Sequence, residues 1–409
     1  MQSRGTAVIV TVGSELTEGL RVDTNTAHIA RELSRRGFTV TETLSVGDNV
    51  QLLADVLRRL ASIHPLVVTT GGLGPTHDDV TRDAASAALG VRLAADAGLV
   101  ERLRDVRLAQ ADPAAAEAVM SQALVLEGAE ILQATSGTAP GQIATSPAGL
   151  LVLLPGPPAE MHPMLTAAVS RFEATRATPA ELGVTGMSES DVQYAAQRAL
   201  ADFDGITLTV LAKPGDVHVL LIDDGAGEST IARAADRVAA EIGEACYATD
   251  GSPLAAALLG ECRKRGLTLA CAESCTGGLI SAAITDVEGA SDVFLGGMVS
   301  YADEVKIHAL GVSAELLERH GAVSEPVARA MAEGVRKMTG ADLALAVTGI
   351  AGPSGETADK PVGLVWFALA SESGTPTAQR TFARPTRHSV RARATSTALD
   401  LLRRAARAR

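Results

Sequence analysis

Apolar residues along the chain keep two rhythms, and the alternation between them predicts its elements. Short unbroken apolar runs read as buried strands, and runs with apolar residues every three or four positions read as amphipathic helices. TAVIVTVG (6–13) predicts a strand, and TNTAHIARELSRRG (24–37) a helix ended by a glycine. FTVTETLSVGD and PLVVTTGG (65–72) repeat the strand signal on either side of a second helix, NVQLLADVLRRLAS (49–62). A βαβαβ order predicts a parallel sheet with helices on its faces. An Ala-rich helical stretch over about 78–122 follows, then a hairpin over 141–156 and a helix over 157–172 with proline in its first turn.

Residues 173–250 carry shorter signals: a strand at ELGVTG, a serine-capped helix, two strands joined by KPGD, and a closing helix. After TDGSP the strand–helix alternation starts afresh, with strands at LTLACA, VFLGGMVS, ADLALAVTG and PVGLVWFALA. The predicted fold class is α/β, with two three-layer α/β domains (1–172 and 251–409) joined by a small α+β connecting domain (173–250).

Composition narrows the function. A chain of 409 residues needs two or three domains, and 46% hydrophobic residues supply their cores. Aromatic residues make up 2%, too few for base-stacking platforms, and a net charge of −12 argues against a phosphate-backbone footprint. Nucleic acid is therefore not an expected partner. Four cysteines without close CxxC pairs make neither a disulfide framework nor a zinc module. The chain shows no signal-peptide pattern and no membrane span, and a cytoplasmic setting is expected. Eight arginines between Arg384 and Arg409 read mainly as a solvated helix face, with one or two free for a ligand phosphate.

The first candidate site is TTGGLGPTHDDVTRDA (69–84). Gly71, Gly72 and Gly74 permit a tight turn and close approach of a ligand to the backbone. Asp78, Asp79 and Asp83 crowd the same turn, and carboxylates beside a phosphate require a divalent cation between them. Glu15, in GSELTEG, is expected at the carboxyl end of the first strand, where ligands of open parallel sheets gather; Glu160 lies in the Pro/Gly loop LLPGPPAEM. These blocks, with DTNTAHIARELSRRG and VGDN, resemble the molybdopterin-binding-like domain of the CinA (competence/damage-inducible protein A) family over most of residues 6–172. That resemblance implies a metal-dependent pyrophosphatase acting on ADP-ribose-like dinucleotides. Asp78 and Asp79 are the first metal or phosphate-site candidates, with Glu15 and Asp83 behind them.

The second candidate site begins at ACAESCTGG (270–278). Cys271 and Cys275 raise a metal or thiol reading, but no His or second cysteine pair accompanies them. Ser274 lies at a strand-to-helix turn, and Thr276, Gly277 and Gly278 open a helix whose N–H groups suit a phosphate or oxyanion. GASDVFLGGMVSYADEVK adds Ser291, Tyr301 and Lys306; a tyrosine or a desolvated lysine can take a serine proton where no histidine is available. Thr348, Gly349 and Gly352 sit in the loop VTGIAGPSG, and Ser324 is read as a helix cap.

These blocks look like the CinA C-terminal domain over residues 253–405. The resemblance implies a nicotinamide mononucleotide deamidase without a metal, in which Tyr301 and Lys306 are active-site residues and Thr348 and one arginine from 384–391 bind substrate. Ser274 or Ser291 is the nucleophile, with preference for Ser291 because it precedes the Tyr–Lys pair. It further implies a homodimer and a KH-like connecting domain, although the nucleic-acid-clamping GXXG loop is missing. Two other classes remain: a competence accessory that binds nucleotides without catalysis, and a molybdenum-cofactor biosynthesis enzyme, which leaves the C-terminal blocks unexplained.

Overall fold

The computed structural model describes residues 5–110, 112–175 and 177–409. The chain divides into two compact units, Met1–Ala177 and Thr178–Arg409. Among the described residues the first holds eight strands: β1 (Gly5–Val12), β2 (Phe38–Val46), β3 (Leu66–Thr70), β4 (Leu93–Ala95), β5 (Leu124–Leu126), β6 (Glu130–Leu132), β7 (Gly141–Ser146) and β8 (Gly149–Leu154). Six of them form one sheet in the order β2-β1-β3-β8-β7-β6. β1, β2, β3 and β8 run parallel, so their carboxyl ends share one edge.

Helices cover both faces of that sheet, as the apolar rhythm requires. Leu53, Leu57 and Leu60 of the helix Val50–Ala61 pack with Val8, Val10 and Val67. Ile29 and Leu33 of the helix Asn25–Arg35, with Met161 and Leu165 of the helix Pro158–Val169, pack with Ala7, Ile9 and Val68. The Ala-rich stretch departs from expectation. It is three helices, Thr81–Leu89, Ala97–Leu108 and Pro113–Ser121, interrupted by β4 and followed by β5, which pairs with it. Gly90, in the left-handed region at φ 69°, ends the first helix, and the side chains of Asp96 and Asp112 cap the next two. Alanine count alone gave no warning of these local stops.

The second unit contains two sheets. β9 (Ala180–Val184), β10 (Ile206–Lys213), β11 (Asp216–Asp223) and β12 (Cys246–Ala248) form an antiparallel sheet in the order β10-β11-β9-β12. Its fourth strand, three residues long, was not legible in the sequence. β13 (Leu269–Glu273), β14 (Phe294–Val299), β15 (Leu343–Gly349), β16 (Leu364–Ala370) and β17 (Thr377–Thr381) form the second sheet, in the order β14-β13-β15-β16-β17. β13, β14 and β15 are parallel. Leu258, Leu259 and Cys262 of the helix Leu254–Arg265 pack on one face together with the C-terminal helix Arg387–Arg407; Val327, Met331 and Val335 of the helix Glu325–Thr339 cover the other.

Within the second unit the four-stranded sheet is tied to the C-terminal sheet and helix through specific contacts. Tyr247 of β12 is buried in the core of the C-terminal sheet, and the guanidinium of Arg403 donates to the Glu244 carbonyl at 2.7 Å. Among the described residues no helix is long and apolar enough to cross a membrane.

Candidate functional sites

Parallel strands deliver their following loops to one edge, and in the first unit that edge forms a cleft of about 390 Å³. Glu15 follows β1, Asp48 follows β2, Gly71–Asp79 follow β3, and Pro155–Glu160 follow β8. The loops are tied to one another. The N–H of Ser14 donates to the Asp48 carboxylate at 2.7 Å, and the Asp48 N–H donates to the Ser14 hydroxyl at 3.1 Å. The amide of Asn25 donates to Thr70 Oγ1 and to the Gly156 carbonyl.

The glycines of this site are required by close approach. A Cβ on Gly71 (φ 105°) would lie 2.2 Å from the Val12 carbonyl, and one on Gly74 would lie 2.6 Å from the Asp79 carboxylate. Asp79 accepts the N–H groups of Gly74 and Thr76, each at 2.7 Å, and so holds the turn closed from inside. Arg82, nearly fully buried, donates to the carbonyls of Leu73 and Gly74, and burial lowers its affinity for a proton. Asp78 faces the cleft and is half exposed; a hydrogen bond from Thr76 holds its carboxyl below the usual range. Burial pushes the Glu160 carboxyl up. Asp83 is exposed on the helix Thr81–Leu89 and is not among the cleft-lining residues.

Six carboxylates line this cleft (Glu15, Asp23, Asp48, Asp78, Asp79 and Glu160) against one cation, Arg21. Asp23 and Asp48 were missed as site residues. Asp48 follows a predicted strand, as Glu15 does, and that was the signal available. Hard carboxylate oxygens suit Mg²⁺ or Mn²⁺. Yet among the described residues no three His, Cys, Asp or Glu side chains converge to hold a metal ion. Asp79 and Asp48 also already accept backbone N–H groups. Any cation held here would have to take part of its coordination from a bound ligand.

In the second unit the carboxyl ends of β13, β14 and β15 meet. Ser274 extends β13, its N–H donating to the Val347 carbonyl at 2.9 Å, and the N–H of Ser300 donates to the Glu273 carbonyl at 2.8 Å. Tyr301 follows directly and is exposed. Lys306, one turn into the helix Asp303–Leu310, is 1% exposed; its ammonium donates to the Tyr301 carbonyl and to Asp303, each at 3.1 Å. Two of its three N–H groups are thereby engaged.

The C-terminal helix reaches the same edge. Arg387 donates to the Tyr301 hydroxyl and to the Gly352 carbonyl, each at 3.0 Å, and Arg391 donates to the Thr276 carbonyl at 2.8 Å. One turn apart on one helix, these two guanidiniums stand out among the eight arginines of the C-terminal segment. The hydroxyls of Thr276 and Ser300 are buried and have no hydrogen-bond partner among the described residues, which is uncommon away from ligand sites.

Four sequence-based expectations change here. The N–H groups of Gly278, Ile280 and Ser281 all donate to the buried carboxylate of Glu273, at 2.9, 3.1 and 2.8 Å. The helix start expected to hold a phosphate is thus already supplied with an anion by the chain. Thr348 is buried and gives its hydroxyl to the Ala322 carbonyl at 2.8 Å. Ser324 stands at the start of the helix Glu325–Thr339, but its hydroxyl bonds back to Gly321 instead of capping. Ser291 precedes the amino end of β14, whereas Tyr301 follows its carboxyl end. The six strand residues between them span about 20 Å. Within one chain Ser291 does not reach the Tyr–Lys pair; Ser274 shares its edge.

Gly349 allows close pairing, since a Cβ there would lie 2.8 Å from the Leu364 carbonyl, and Gly352 adopts φ 79° beside Val362. Cys271 and Cys275 are buried, and burial pushes both thiols up to about 12, which removes thiolate chemistry from the site.

Fold and sites together define a two-domain α/β protein with an acidic cleft on one parallel sheet and a serine–tyrosine–lysine edge on another. Two family models match the chain: the CinA C-terminal domain over residues 251–406, and the probable molybdopterin binding domain over residues 8–174. A putative competence-damage inducible protein of Symbiobacterium thermophilum is 40% identical over 418 residues, covering 97% of this chain and 98% of its own length. A CinA-like protein of Gemmatimonas aurantiaca is 38% identical over 410 residues, covering 97% and 95%. Among solved structures, the competence/damage inducible protein CihA of Agrobacterium tumefaciens is 41% identical, covering 36% of this chain and 91% of its own, with a TM-score of 0.36. The chain belongs to the CinA family.

Proposed function

We propose that the C-terminal domain hydrolyses the carboxamide of nicotinamide mononucleotide to the acid, releasing ammonia, and that the N-terminal domain is a metal-dependent ADP-ribose pyrophosphatase. The observation that carries the first activity is the meeting of Ser274, Tyr301, Lys306, Arg387 and Arg391 at one sheet edge. In this reading Ser274 Oγ attacks the carboxamide carbon, and its proton passes to the Lys306 nitrogen, which acts in its unprotonated amine form. The C–N bond then breaks as that proton reaches the leaving nitrogen. Water hydrolyses the resulting ester, and the serine recovers its proton. Arg387 and Arg391 take the phosphate, a task that planar guanidiniums suit. No step on these residues calls on a metal. All four cysteines are free, in keeping with a reducing, cytoplasmic setting.

For the N-terminal cleft, a cation shared between Asp78, Glu15 and the substrate pyrophosphate would offset the charge of the acidic walls and polarise the phosphorus–oxygen bond. A second reading, a cleft that binds a nucleotide without cleaving it, is favoured by the prior engagement of Asp48 and Asp79. The test is ammonia release from nicotinamide mononucleotide with chelator present. Turnover that survives chelation and disappears in Ser274→Ala supports the deamidase; turnover retained in Ser274→Ala rejects this assignment of the nucleophile.

A further inference from the structure

The acidic cleft of the first unit has a second chemical character besides charge. Among the described residues its lining carries no Phe, Tyr, Trp or His, so a flat ligand ring finds no aromatic partner there. It does carry aliphatic surface. Val22 lines the cleft and, at 81%, is the most exposed large aliphatic side chain among the described residues. Pro157 lines it too and is exposed, with half-buried Pro158 beside it. Both groups stand on segments that hydrogen bonds fix in place. The N–H groups of Leu20 and Arg21 donate to the Glu15 carbonyl at 2.9 and 3.1 Å and hold the segment that carries Val22. Three residues further on, the amide of Asn25 donates to the carbonyl of Gly156, the neighbour of Pro157, at 2.8 Å. The two aliphatic surfaces therefore belong to segments tied to each other across the cleft wall.

Aliphatic carbon left in water beside a cleft marks a place for an apolar part of a ligand. The acids and Arg21 suit the charged part of the same ligand. We propose that Val22 and Pro157 form a nucleobase subsite of this cleft, with the base against their aliphatic surfaces and the phosphate attached to it on Arg21. Arg21 adjoins Val22 in sequence and is the one cation of the lining, so base and phosphate of one nucleotide fall on neighbouring residues. The base gains by leaving water on both of its faces, and it makes no demand on the six carboxylates. The subsite deepens the nucleotide reading of the cleft and rests on it.

Calorimetric titration of the full chain with AMP and with ribose 5-phosphate, in the presence of Mg²⁺, tests the assignment. Neither ligand has a pyrophosphate to cleave, and they differ chiefly in the base. The wild type should bind AMP about tenfold more tightly than ribose 5-phosphate. Val22→Ser, a change at an exposed side chain, should remove most of that preference and leave ribose 5-phosphate binding unchanged; Pro157→Ser should act in the same direction. Arg21→Ala should weaken both ligands alike, because both carry the phosphate. Equal binding of the two ligands by the wild type, or a preference for AMP that survives in Val22→Ser and Pro157→Ser, overturns the base subsite alone. Failure of both ligands to bind, or binding that Arg21→Ala leaves unchanged, overturns the nucleotide reading of the cleft and the subsite with it.

Discussion

The carboxylate of Glu273 accepts the N–H of Gly278 at 2.9 Å, at the point where β13 gives way to a helix. Its two oxygens also take the N–H groups of Ile280 and Ser281 and the Ser281 hydroxyl. A buried anion at a helix start is stabilised by the orphan N–H groups it satisfies. It ties down the turn carrying Ser274 before any ligand arrives, and in the proposed deamidase it leaves phosphate recognition to the arginines of the C-terminal helix. Glu273→Ala should therefore leave these four donors without their acceptor and lower unfolding free energy by roughly 3 kcal/mol. Urea denaturation measures this, and Glu273→Gln should lose less, since it keeps one acceptor oxygen.

Asp78 and Asp79 are neighbours with different tasks. Asp79 closes its own loop, so Asp79→Ala should lower Tm by roughly 4 °C and abolish nucleotide binding as the loop opens. Asp78 faces the cleft with its carboxylate half exposed, so Asp78→Ala should leave Tm unchanged. It should nonetheless remove metal-dependent formation of AMP from ADP-ribose. Calorimetry beside the pyrophosphatase assay separates the two; equal loss of Tm in both variants would contradict the division of labour.

The Tyr301–Lys306 pair and Arg387 should fail in different kinetic parameters. Lys306→Ala should cost about 10²- to 10⁴-fold in kcat for ammonia release, as expected for loss of a proton-transfer group. Arg387→Ala should raise KM for nicotinamide mononucleotide about tenfold. It also removes the hydrogen bond that orients the Tyr301 hydroxyl, so a smaller loss in kcat should accompany it.

In the first unit, His28 stacks on His162 with ring centroids 3.8 Å apart. Burial, then the neighbouring His162 and Arg31, lower the His28 pKa, while Glu32 partly offsets them. The unfolded chain then binds the proton more tightly than the folded one. Stability is complete above the unfolded value of about 6.5 and falls as pH drops below it toward the folded value. Tm of residues 1–177 within the full chain should decline between pH 7 and 5, and His28→Gln should flatten that slope. A slope unchanged by the substitution would assign the effect to other groups.

Much of the fold was legible because strand and helix rhythms are local. TAVIVTVG, PLVVTTGG and LTLACA are apolar runs that only a sheet covered on both faces can bury, and they became β1, β3 and β13. The glycine turns after β3 and β13 announced backbone approach for the same local reason. The three-residue signals of β4, β5, β6 and β12 did not stand out from loop sequence, because their pairing energy comes from partners elsewhere in the chain.

The sequence by itself determined residue chemistry: acids crowded around a glycine turn, a serine beside another glycine turn, and a tyrosine and lysine five residues apart. Only the tertiary structure decided which of them share an edge. Parallel strands bring Ser274, at the end of β13, beside Tyr301, after β14, although they are distant in sequence. The same strand carries Ser291, nearer to Tyr301 in sequence, to the opposite edge. Sequence separation and spatial separation part company wherever a strand lies between two residues, because an extended chain gains about 3.3 Å with each residue while a crossover returns it to its start. For the same reason Glu273, an ordinary strand-end acid in the sequence, became the anion of the helix start, and two arginines of a basic tail became neighbours of the candidate site.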